Sequence, residues 1–185
     1  MSTHRSVTDA HEHCAHRHPR DRPAGLTFFD SFDPDSYTVI AAINDALVYV
    51  DEAGQVCPGL ATAWHQRTPT ILELELREGV RFHNGEPFDA ECVVETFRAH
   101  REPTPTSLIK GPFALLKEVR ITGPSRVEFE LVAPNAMFLR ALAFGMIYPK
   151  GVLRAEGRDA LVRWPIGTGV QARALRSRAR ARPRA

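Results

Sequence analysis

Residues 58–97 read PGLATAWHQRTPTILELELREGVRFHNGEPFDAECVVETF, and two hydrophobic periods divide the stretch. Leu72, Leu74 and Leu76 alternate with Glu73 and Glu75. Successive side chains of a strand point to opposite faces, so this period predicts a strand with one buried and one solvated face. Further on, Ala90, Val93, Val94 and Phe97 fall at i, i+3, i+4 and i+7, the spacing of one face of an amphipathic helix. Asp89 stands directly before them. Its carboxylate can accept from the first backbone N–H groups of the helix, which have no intrahelical partner. Between the two elements, Leu76–Phe88 (LREGVRFHNGEPF) predicts a strand, a turn at Asn84-Gly85, a second strand and the helix cap. Asn and Gly suit that turn because both tolerate positive φ. Pro103 and Pro105 are expected to end the helix.

The flanking segments continue the alternation of strands and helices. Leu26–Phe29 is a short apolar run that predicts a first strand, and Asp33-Pro34-Asp35-Ser36 is a turn and helix-start signal. From Tyr37 to Leu47 the residues Val39, Ile40, Ile43 and Leu47 keep helical spacing. Leu47–Val50 and Gln55–Cys57 flank Asp51-Glu52-Ala53-Gly54 as a hairpin. Val119–Thr122 and Arg126–Leu131 predict a second hairpin around Gly123-Pro124-Ser125. In it Val127, Phe129 and Leu131 face one way, and Arg126, Glu128 and Glu130 the other. Pro134-Asn135 opens a helix over Ala136–Phe144, apolar except for Arg140 and therefore expected to be buried, with Gly145 at its end. Strands, hairpins and helices interleaved in this way predict an α/β fold with a mixed-sheet α+β subdomain.

The charge is unevenly spread. The formal net charge is +2, but residues 1–25 carry +1 and residues 173–185 carry six Arg and no acid. The intervening 147 residues therefore sum to −5. The body is mildly acidic, and the basic character belongs to the C-terminal tail. Residues 1–25 are polar, His-rich and punctuated by Pro19, Pro23 and Gly25, and residues 170–185 are built from Arg, Ala and little else. Both ends are expected to be disordered. The three cysteines, Cys14, Cys57 and Cys92, give neither a disulfide framework nor a paired zinc spacing. Cys57 and Cys92 have apolar neighbours and read as small core residues. Residues 1–25 hold no apolar run of a secretory signal, and nothing approaches the roughly 20 apolar residues of a membrane span. The chain as written is thus expected to stay in the cytoplasm.

Two clusters invite a chemical reading. His11, His13, His16 and His18, with Glu12 and Cys14 among them, are metal-capable side chains suited to nickel, copper or zinc. The alternative is a flexible tail of weak affinity, because binding would have to order it. The Arg-rich end could bind nucleic acid by charge alone, but it lacks interleaved aromatics to stack bases, so no nucleic-acid partner is expected. No G-x-S-x-G elbow, H-E-x-x-H pair or P-loop is present, and no enzyme activity or cofactor is expected. His65 and His83 read as surface or cap residues, Glu73 and Glu75 as the wet face of a strand, and Arg77 and Arg81 as solvated charges.

PGLATAW (58–64), LREGVRFHNGEPFDAE (76–91) and a later PIGTG (165–169) occur in that order. The run resembles the signature of the family 5 bacterial extracellular solute-binding proteins, over roughly residues 26–169. The resemblance implies the incomplete N-terminal lobe of a periplasmic-binding-protein-like fold, with residues 56–148 as an inserted subdomain and re-entry into the lobe at PIGTG. It implies capture of a peptide or a nickel chelate for an ABC transporter permease, outside the inner membrane and without catalysis. It points loosely to Tyr37 and Thr38 as ligand contacts, against an alternative of ordinary packing at a helix start. Members of that family are about three times longer, so a truncated receptor is expected, with a shift of reading frame after Gly169 as the simplest origin of the tail. A cytosolic metal-binding module built on the His cluster and a gene fragment without function are the alternatives.

Overall fold

The computed structural model describes residues 34–101, 113–163 and 165–169. The expected strand at Leu26–Phe29, the His-rich leader, Pro103, Pro105 and the Arg-rich tail lie outside them.

Helix α1 runs over Pro34–Ile43. Pro34 suits a first helical position, where its missing N–H costs nothing. The helix ends four residues before the Leu47 expected from periodicity. Asn44 N–H and Asn44 Nδ2 both donate to the Ile40 carbonyl, at 2.9 and 3.1 Å. The chain beyond is drawn into extended pairing: Leu60 N–H donates to Ala46 C=O and Ala61 N–H to Leu47 C=O, at 3.0 and 2.8 Å. Strands β1 (Val48–Val50) and β2 (Val56–Pro58) then form the expected hairpin.

A four-stranded antiparallel sheet follows, built from β3 (Ala61–Thr68), β4 (Ile71–Leu76), β5 (Leu116–Gly123) and β6 (Arg126–Leu131) in the order β3-β4-β6-β5. Between β4 and β5 the chain makes helix α2 (Ala90–Arg101). β3 has no expected counterpart. Its exposure pattern, ATAWHQRT with Ala61 buried and most later residues exposed, lacks a clean alternation. As an edge strand it satisfies its backbone through β4 and not through a buried face of its own.

Register explains the sheet. Leu72 stands opposite Phe129 and Leu74 opposite Val127, all buried. The same register sets Glu73 directly against Glu128 on the other face, where like charges repel. Cations compensate them: Arg67 lies 3.3 Å from Glu73 and Arg120 3.7 Å from Glu128. Helix α2 covers the apolar face. Phe97 meets Phe129 and Phe113 edge to face, at centroid distances of 5.0 and 5.2 Å, a favoured arrangement of ring quadrupoles. Asp89 caps α2 as expected, its Oδ1 accepting from Cys92 N–H at 3.1 Å.

Two further expectations need correction. Val80–Phe88 forms no second strand pair, only an isolated bridge between Arg81 and Pro87. The turn itself is present, with Gly85 at φ +90° and Gly85 N–H donating to Phe82 C=O at 2.9 Å. The helix expected over Ala136–Phe144 is a single α-turn, α3 (Phe138–Ala141), continued as a 3-10 turn over Leu142–Phe144. Ala136 and Met137 are exposed, and the buried part begins at Phe138. Two short helices, α4 (Lys150–Ala155) and α5 (Arg158–Arg163), have no expected counterpart. An ionic seam pins α4 to α2: Lys150 Nζ contacts Asp89 and, at 2.9 Å, Glu91, while Arg154 contacts Glu91 and Glu95 at 3.2 and 2.9 Å.

Candidate functional site

The two sequence landmarks FHNG and PIGTG meet in space. Their meeting point is the end of α1. Gly169 N–H donates to Ile43 C=O at 2.9 Å, and Thr168 Oγ1 donates to Asp45 Oδ2 at 2.7 Å. Asp45 Oδ1 accepts from Tyr49 O–H at 2.6 Å, so one carboxylate ties α1, β1 and the PIGTG segment together. On the other side His83 holds the segment three times. Its backbone N–H donates to Gly167 C=O at 2.9 Å, its Nδ1 accepts from Gly167 N–H at 3.1 Å, and its Nε2 lies 2.5 Å from Gly169 C=O.

The packing is close enough to require glycine. A Cβ built on Gly167 would overlap the Ile43 carbonyl and stand 2.5 Å from Asn44 Oδ1. Asn44 is buried, and its Oδ1 has no hydrogen-bond partner among the described residues. Beside this junction Val39 and Tyr49 remain about two-fifths exposed, at 40% and 41%.

Tyr37 and Thr38 lie in the N-terminal half of α1, the helix whose other end carries the junction. Their place on that helix is described, but not their side chains. His11, His13, His16 and His18 lie outside the described residues. Among the described residues, no group of three or more His, Cys, Asp or Glu is placed to hold a metal ion. His65 is exposed on β3, opposite Glu73. Arg77 and Arg81 are exposed, yet each guanidinium donates to a backbone carbonyl, Gly59 at 3.1 Å and Gly85 at 3.0 Å. His83 is half-buried and fastens a remote segment, which the reading as a surface or cap residue missed. The signal was the presence of two landmarks. Nothing local indicated that they touch across 84 positions.

The displaced titrations lie away from the junction. Burial, helped by the nearby Arg158 charge, pushes the His100 imidazole down to about 3, so the ring is neutral. Burial pushes the Cys92 thiol up to about 11 and keeps it protonated, as fits a core residue. Burial of Asp89 works against ionisation, but the hydrogen bonds from Lys150 and Cys92 and the Lys150 charge together outweigh it and hold the carboxyl below its usual range.

The mixed strands and helices of this lobe are those of a periplasmic binding protein. The structure of NikZ from Campylobacter jejuni in complex with Ni(L-His) is similar to it, with a TM-score of 0.72 and 32% identity over 80% of this chain and 30% of that one. Residues 55–170 match the model of the bacterial extracellular solute-binding proteins, family 5 Middle, and the chain belongs to that family. The nickel-binding periplasmic protein of Escherichia coli (strain K12) is 29% identical over 143 residues, 75% of this chain and 27% of that protein. The periplasmic murein peptide-binding protein MppA of the same organism is 30% identical over 98 residues, 53% of this chain and 18% of that protein. The chain thus spans less than a third of the length of these relatives. Among the described residues, no helix is long and apolar enough to cross a membrane.

Proposed function

We propose that this chain supplies part of the solute-capturing component of an ABC importer, and that its solute is a nickel–amino-acid chelate. The observation that carries the reading is the 32% identity and 0.72 TM-score to a structure holding Ni(L-His). The nickel-binding relative from Escherichia coli supports it over 75% of this chain. Receptors of this kind bury their solute between two lobes that close about a hinge, and the closed form docks on the permease. The chain's own contribution would be one wall of that cleft, around the start of α1 with Tyr37 and Thr38. The junction of Asp45, Thr168 and His83 would hold that wall rigid. Short peptides are the second reading, supported by the 30% identity to a murein peptide-binding protein.

The test is a chimera. Residues 34–169 replace the stretch they align with in the nickel-binding protein of Escherichia coli, and the product is titrated calorimetrically with nickel–histidine and with mixed di- to pentapeptides. A saturable one-to-one isotherm with nickel–histidine, within about tenfold of the parent, is expected. Saturable binding of peptides alone would move the assignment to the second reading. A folded chimera that binds neither would overturn both.

A further inference from the structure

We propose that the open edge of β5 pairs with the β5 edge of a second copy of this chain, antiparallel and centred on Val119. β5 is an outer strand of the four-stranded sheet, and among the described residues β6 is its one strand partner. An unpaired edge presents a row of N–H and C=O groups to any strand that fits it. The register with β6 is broken at both ends of β5, between Leu116 and Glu118 and between Ile121 and Gly123. Such irregularities blunt an edge. They leave Glu118–Ile121 as a regular stretch between them, without proline or glycine. Arg101 donates to the Lys117 carbonyl at 2.8 Å and so covers the strand just before this stretch.

Charge selects both the occupant and the register. In a two-fold antiparallel pair, opposed residues share a face of the sheet, so the axis falls on a residue. An axis at Glu118 or at Arg120 sets like charges against each other. An axis at Ile121 brings Glu118 opposite Pro124 of the second copy, and proline has no N–H for the ladder. An axis at Val119 sets Glu118 against Arg120 of the second copy, and Arg120 against its Glu118. It therefore places two opposite-charge pairs on one face and Val119 against Val119 on the other.

The groups involved are accessible. Within one chain Arg120 serves three carboxylates, Glu118 at 2.8 Å, Glu128 at 3.7 Å and Glu130, and Lys117 lies 2.6 Å from Glu130. The Glu118 side chain is 51% exposed, against 19% and 18% for Glu128 and Glu130. It is thus the carboxylate placed to turn across the edge toward a second Arg120. On the face of Val127, Ile121 is half exposed beside a buried neighbour, and an added strand covers part of that apolar surface. β3, the sheet's other edge, carries His65 and Arg67 but no acid, so it offers a second copy of itself no such match.

The experiment is sedimentation velocity of the full chain over a concentration series reaching about 1 mM. A reversible monomer–dimer equilibrium is expected, because a two-fold pair closes at two copies. Glu118→Lys sets a lysine against Arg120 of the second copy, and Arg120→Glu sets a glutamate against its Glu118. Each variant alone should therefore associate at least about tenfold more weakly. An equal mixture of the two variants has opposite charges in both pairs and should recover the dimer, which a general effect of charge or stability would not produce. In the unaltered chain, labelled with nitrogen-15, amide protection over Glu118–Ile121 should rise with concentration, while that of Leu74 in the inner strand β4 stays constant. If either variant fails to fold, this exchange measurement decides. An unaltered chain that stays monomeric, species larger than a dimer, variants that associate as before, a folded mixture that stays monomeric, or edge protection independent of concentration would each overturn the pairing.

Discussion

Thr96 and Tyr148 hold each other at the centre of the molecule: Thr96 Oγ1 accepts from Tyr148 N–H at 3.1 Å and lies 3.4 Å from Tyr148 C=O, both residues being buried. One hydroxyl serves as acceptor and donor to a backbone 52 positions away. Helix α2 is thereby fixed to the segment that leads into α4. Thr96→Val keeps the shape but removes both bonds and leaves a buried N–H unpaired. A loss of about 1–3 kcal/mol is expected. Thr96→Ser keeps the hydroxyl and should lose less, about 1 kcal/mol, through the missing methyl. Urea unfolding midpoints of the two variants decide. Equal losses would mean that the hydroxyl contributes nothing.

Phe97 sits where α2 meets the sheet, fully buried, with rings on two sides. Phe97→Ala opens a cavity and should cost about 3–5 kcal/mol. Phe97→Leu fills most of the space and should cost at least about 2 kcal/mol less. Equal unfolding midpoints for the two variants would show that this face is not packed as described.

The secondary structure of the core was largely legible in the sequence because its elements are strongly periodic. β4, β6 and α2 each bury one face and wet the other, and a one-residue shift would turn Leu74 or Phe129 outward. β3 escaped because an edge strand is specified by its neighbour. α4 and α5 escaped because each spans six residues and is held by partners remote in sequence, such as Glu91 and Glu95 for Arg154. The junction was legible only as two separate landmarks. His83, Gly167, Thr168 and Asp45 each look ordinary in their own segment, and their roles arise from hydrogen bonds that no local pattern encodes.

Gly167 offers a direct check of that junction. Its substitution is opposed by the Ile43 carbonyl and Asn44 Oδ1, which are main chain and a buried side chain and have little room to yield. Gly167→Ala should cost about 2–3 kcal/mol through overpacking and loss of the His83 contacts. Gly157 is the control. It has φ +73° and open space around a built Cβ, so Gly157→Ala should cost only the left-handed backbone penalty, about 1 kcal/mol. Thermal unfolding of both variants tests the difference. A smaller loss for Gly167→Ala than for Gly157→Ala would refute the close approach.

His100 gives the chain a pH dependence of stability whose sign follows from burial. Its ring lies against Phe97 and Phe113, at centroid distances of 5.7 Å each, and burial beside Arg158 lowers its pKa from 6.5 to about 3. The unfolded chain takes up a proton below about pH 6.5, where the folded protein does not. The contribution is therefore fully present above that pH. It is lost as the pH falls toward about 3, where the folded state becomes protonated as well. The loss approaches about 1.4 kcal/mol per pH unit within the window. The Asp89 carboxylate, held down by Lys150, adds its own loss only at lower pH, below the ordinary carboxylate value of 3.8. Urea unfolding of the chain and of His100→Gln at pH 7.5, 6.0 and 5.0 separates the two groups. The unaltered chain should lose about 1–2 kcal/mol more than the variant between the first and last conditions. Parallel curves would show that burial against Phe97 and Phe113 does not keep His100 neutral.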